Sequence, residues 1–218
     1  MGRAKLPRKS TNVDMTAMCD VAFLLLSFFI LATKTKPPEA VKVMIPTSVS
    51  SQKVDAKDKV TVTISKEGKV FLAFDDKEKR KQIVKDLNTR YSLQLTDAEL
   101  EKVDKAEVFG TPLAAMKSFL NLPKESQAGE KLPGIPALDS SNNQLNDWLA
   151  STVSVYQGAK MNLLLKGDGL AKYTVFKNVI DAFKKNDLMK FHIITNQEGL
   201  DPGTALYKDK KGNAPKPE

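Results

Sequence analysis

The chain predicts one membrane-spanning helix at its N-terminus followed by an α+β domain, with helices on one face of a small sheet. Three observations predict it. Met15–Thr33 is an apolar run whose length, at 1.5 Å per residue, gives roughly 28 Å of helix, enough for one bilayer core. Val60–Ser65 alternates apolar and polar residues, Lys66-Glu-Gly-Lys69 reads as a turn, and the apolar run Val70–Phe74 follows, as in a β-hairpin. Met161–Leu165 is a strand-like run followed by a helix-period run, Tyr173, Phe176, Val179, Ile180 and Phe183.

In chain order, residues 1–14 form a basic tail carrying about +3, expected on the cytoplasmic side of the membrane. The helix at 15–33 is expected to be an uncleaved anchor, because Ile30 occupies a position where a cleavage site wants a small residue. Asp20 lies about one and a half turns inside it, where a charge costs about 2.5–3.5 kcal/mol on insertion scales. Thr16, Asp20 and Ser27 share one helical face with Phe23, Leu24 and Leu31. A polar stripe of this kind is expected to face protein or water rather than lipid. Cys19, the single cysteine, reads as a small apolar filler and excludes an internal disulfide.

Residues 34–59 read as a flexible linker, with Pro37-Pro38, Pro46 and a Ser/Thr-rich run. Within it Val41, Val43 and Ile45 alternate up to Pro46, the pattern of an extended tether or of a strand added to a sheet edge. The domain is placed at 60–207. Asp75-Asp76 opens a helix carrying Ile83, Leu87 and Tyr91, and Thr96-Asp-Ala-Glu99 is a capping box. A helical insertion is expected over about 92–158, with helices at Leu113–Leu122 and through Leu145–Tyr156 around a loop from Pro123 to Ser141. Lys166-Gly-Asp-Gly169 reads as a turn in which Asp168 caps the next helix. Phe191–Ile194 reads as a further strand, Thr204–Tyr207 as an edge strand, and 208–218 as disordered by composition.

The formal charge of +8 sits in the tails and linker, leaving the body at about +1 with no basic face interleaved with aromatics, so no nucleic acid is expected. His192 is the only histidine, and no His/Cys cluster or phosphate-loop glycines are present, so no enzyme, metal or cofactor is expected. The chemistry on offer is Asp20. Two classes fit: a proton-driven membrane subunit, or a passive anchored module binding a partner or the cell wall.

Asn12-Val-Asp-Met-Thr-Ala-Met-Cys-Asp-Val-Ala-Phe-Leu-Leu-Leu-Ser-Phe-Phe, followed by Val41-Lys-Val-Met-Ile-Pro46, resembles the ExbD/TolR family of biopolymer transport proteins. The resemblance extends over 59–88 and 160–196. It implies an inner-membrane motor coupled to protons rather than to a cofactor. Asp20 would be the proton-carrying residue, and a homodimer's two anchors would stand inside a ring of polytopic ExbB-type subunits. The domain would then lie in the periplasm. An ExbD-like chain would energise TonB-dependent outer-membrane transport through a TonB-like protein. A TolR-like one would serve envelope integrity and touch peptidoglycan. The anchor and tether favour the ExbD-like branch. Ala17 stands where the family usually has proline, and the 92–158 stretch exceeds a minimal family domain.

Overall fold

A computed structural model describes residues 15–32, 41–49, 57–123, 126–127, 129, 131–137 and 143–198. The chain divides into two compact units, Met1–Pro37 and Pro38–Glu218. The basic tail, Thr33, the expected edge strand at 204–207 and the tail at 208–218 lie outside the described residues.

In the first unit, α1 (Met15–Ala32) is a continuous helix with no residue buried against protein. It is long and apolar enough to cross a membrane, with a mean hydropathy of 2.2. In water a largely apolar surface of this length would be costly, and a bilayer removes that cost.

In the second unit a five-stranded sheet runs in the order β4-β3-β2-β5-β6. The hairpin strands β2 (Lys59–Ile64) and β3 (Val70–Phe74) pair antiparallel, with Val62 opposite Leu72. On the other side β5 (Asn162–Gly167) and β6 (His192–Ile193) follow in parallel. Val60, Val62, Ile64, Val70, Leu72, Phe74, Leu163 and Leu165 share one face by register and are all buried. The helices supply that cover: α2 (Lys77–Tyr91) packs on α5 (Gln144–Val155), and α5 on α6 (Tyr173–Lys185). The expected α+β architecture is present. Strand β5 runs two residues beyond the expected Leu165, so Lys166 and Gly167 belong to the sheet rather than to the turn.

Local signals set the helix boundaries. The Asp76 carboxylate accepts the backbone N–H groups of Glu78 and Lys79 at 2.8 and 3.1 Å, capping α2. The Thr96 N–H donates to the Glu99 carboxylate at 2.9 Å, opening α3 (Asp97–Lys102). The expected helix over Leu113–Leu122 is a 3₁₀ turn, Leu113–Ala115, running into α4 (Met116–Leu120).

The insertion is part of the main core. Trp148 on α5 is fully buried, 6.1 Å ring to ring from Phe74 and 4.9 Å from Phe109. Phe109 belongs to β4 (Val108–Phe109), a strand with no sequence expectation behind it, which pairs with β3 and forms a short edge of the sheet. Two residues are too few to show an alternating pattern. Gly110 follows because Phe71 packs on it: a Cβ there would fall 2.3 Å from the Phe71 ring. Arg80 is also buried, its Nη2 donating to the Asp104 carbonyl at 3.1 Å. Burial pushes its pKa down against the opposing pull of Glu107, Asp104, Asp76 and Asp75.

Candidate functional site

Two features carry functional potential, and they lie in different units. On α1 the successive offsets of Thr16, Asp20 and Ser27 keep the three side chains within about 40° of one another around the axis. Ser27 Oγ donates to the Leu24 carbonyl at 2.9 Å, back-bonding within its own helix. Around this stripe the helix presents Phe23, Leu24, Phe28, Phe29 and Ile30, each more than half exposed in the isolated chain. Asp20 is thus one acidic group on an apolar cylinder.

In the second unit, Val41–Val49 lies along the folded domain as a strap, so part of the stretch read as a flexible linker is structured. Its inward residues are the alternating ones: Val41 is buried, and Val43 and Ile45 are half-buried, whereas Lys42, Met44 and Pro46 are exposed. Backbone groups hold it. The Gly169 N–H donates to the Met44 carbonyl at 2.9 Å, and the Asn196 N–H to the Pro46 carbonyl at 2.9 Å. Strand β1 (Thr47–Ser48) then pairs in parallel with β7 (Asn196–Gln197). Val41–Pro46 itself is extended without strand pairing; the pairing begins at Thr47, and β1 with β7 forms a separate two-stranded sheet rather than a sixth strand of the main one.

Asp168 is the pivot of this contact. Its Oδ2 accepts the Met44 N–H at 2.9 Å and its Oδ1 accepts the Leu170 N–H at 2.8 Å. The expectation that Asp168 caps α6 is therefore corrected: Lys172 occupies the N-cap without a side-chain bond, and the Asp168 carboxylate is spent on the strap and its own turn. These backbone donors, Leu170 first and Met44 second, hold its pKa below the usual carboxylate range. No local pattern announces this role, because the partner lies 124 residues away in sequence.

His192 sits half-buried on β6, next to no cluster of possible metal ligands among the described residues. The Lys79–Asp58 ion pair and the Lys79 ammonium 4.2 Å above the Tyr156 ring are scaffold interactions between elements.

The described residues thus combine a span-length apolar helix bearing one acid with a docked strap and an α+β domain, the make-up of a membrane-anchored protein. The family profile for the biopolymer transport protein ExbD/TolR matches residues 7–198, and the chain belongs to that family. It is accordingly a member of a family of membrane transport and motor components. No curated protein and no solved structure matches the chain.

Proposed function

We propose that this chain is an ExbD-like subunit of a bacterial inner-membrane motor, in which Asp20 carries the coupling proton. The N-terminus would be cytoplasmic and the domain periplasmic. The observation that carries the reading is Asp20 in line with Thr16 and Ser27 on a helix otherwise built for lipid or an apolar bundle. A charged carboxylate needs a polar wall, and a neutral one can pass an apolar wall. Alternating between the two couples proton entry to movement of the helix inside a ring of ExbB-type subunits. Each proton supplies roughly 2.3 kcal/mol per 100 mV, enough to bias one such step. The family match supports the class of machine, and the choice of an ExbD-like role with a TonB-like partner rests on the anchor and tether sequence.

The strap adds a mechanical element. With Val41 docked, the chain from Ala32 to Val41 reaches at most ~30 Å. With the strap released as far as Lys59, the reach becomes at most ~90 Å. Val41, Val43, Ile45 and Pro46 therefore act in this reading as a releasable tether between the helix and the domain, which transmits helix motion to the periplasmic partner.

The test is Asp20→Asn in the assembled complex. Proton-dependent uptake through the outer membrane is expected to be abolished while the complex still assembles. Uptake at the unaltered rate overturns the reading. Photocrosslinkers at positions 20 and 27 are expected to trap a polytopic membrane protein, whereas a passive anchor would extract alone.

A further inference from the structure

A cavity of about 220 Å³ lies where the strap meets the β2–β3 turn. Its apolar lining is Val41 from the strap and Phe71 from β3, both buried. Its cationic lining comes from both sides of the seam, Lys42 from the strap and Lys66 and Lys69 from the turn. Lys69 is matched by Glu67 at 2.9 Å. Ser65 also lines the cavity and is 5% exposed. Its hydroxyl oxygen accepts the Lys69 N–H at 3.1 Å, which leaves its own proton to donate. An apolar floor, three ammonium groups against the one carboxylate of Glu67 and a buried hydroxyl donor line one opening.

We infer that this cavity is a binding site for a small organic carboxylate, an apolar side chain beside a carboxylate as at the free C-terminus of a short peptide. The charge selects an anion, and ammonium-to-carboxylate hydrogen bonds are stronger than neutral ones. The edge of Val41 and the methylene stems of the lining lysines favour an occupant with an apolar body over a compact inorganic anion. Because the strap supplies Val41 and Lys42 and the hairpin turn supplies the rest, an occupant bridges the two. By linkage it stabilises the docked strap over the released one. The inference goes beyond the motor reading and does not require Asp20 to carry a proton.

The test uses the full chain in detergent micelles, isotope-labelled for amide resonances, with N-acetyl-leucyl-alanine as the probe. The probe is expected to shift the Lys42, Gly68 and Lys69 amides and to slow hydrogen exchange at Gly169, whose N–H is held by the strap. Its C-terminal amide analogue is expected to bind about tenfold more weakly, and the exposed-site double variant Lys42→Gln, Lys66→Gln to lose about tenfold for the acid. Asp20→Asn is expected to leave all of this unchanged. Equal binding of acid and amide, wild-type affinity in the double variant, inorganic phosphate competing as well as the peptide, or no shift with millimolar probe would each overturn the assignment.

Discussion

The helix α1 and the Pro38–Glu218 domain divide the work differently. The helix has one acidic group and no packed core, and the domain has a continuous core and, among its described residues, no cluster of possible metal ligands. A carboxylate facing apolar surroundings is costly unless a partner receives it, so α1 is incomplete by itself. The domain completes itself: Trp148, Phe109, Phe74 and Phe119 interlock ring to ring without help from outside. In the proposed motor, chemistry that depends on a partner would sit in α1, and the self-contained domain would transmit the load.

The sharpest way to break this division is Trp148→Ala. Removing a fully buried indole at the junction of sheet and insertion is expected to cost about 3–5 kcal/mol, a large share of a domain's stability, read as a fall in the melting temperature. Membrane extraction and helix content of α1 are expected to stay as in the parent chain. If the anchor failed together with the domain, the two units would not be separable.

Asp168→Ala is expected to act between those extremes. It removes the acceptor for the Met44 N–H, so amide exchange at Met44 and Gly169 should accelerate while exchange in β2 and β3 stays slow. The same latch predicts a pH dependence. Asp168 is held below its ordinary value, so its contribution is present in full above the unfolded value near 4 and is lost as pH falls through the lower folded value. Lys66 is the charged group that favours the ionised form. Strap protection should therefore be flat from neutral pH to about 5 and fall in stronger acid. A strap that loosens near neutrality would place the latch elsewhere.

Ser27→Ala is expected to give the smallest effect. The hydroxyl already bonds to Leu24 within its own helix, so its loss should cost roughly 0.6 kcal/mol of helix association or less. A defect as large as that of Asp20→Asn would mean that Ser27 takes part in proton handling directly.

The same contrast explains what was legible in the sequence. The helix, its polar stripe and the hairpin are read from periodicity alone, because 3.6- and 2-residue spacing act over a few neighbours. Asp76 and Thr96 announced their helices for the same reason. Strand β4 was invisible because its pairing with Leu72 and Ala73 is set by tertiary register and not by its own two residues. Asp168 looked like a cap because Asp before a helix usually is one, and only folding brings Met44 to it. The lysine-lined cavity needed both the strap and the turn in place before Lys42 and Lys66 could be seen to share an opening.

The most direct measurement is infrared difference spectroscopy on the reconstituted motor with and without an imposed proton gradient. A membrane-buried carboxyl that gains and loses its proton should show a protonated C=O band whose intensity follows the gradient and which vanishes in Asp20→Asn. A carboxylate signature that stays the same at every gradient, or a protonated band that survives the substitution, would contradict the account.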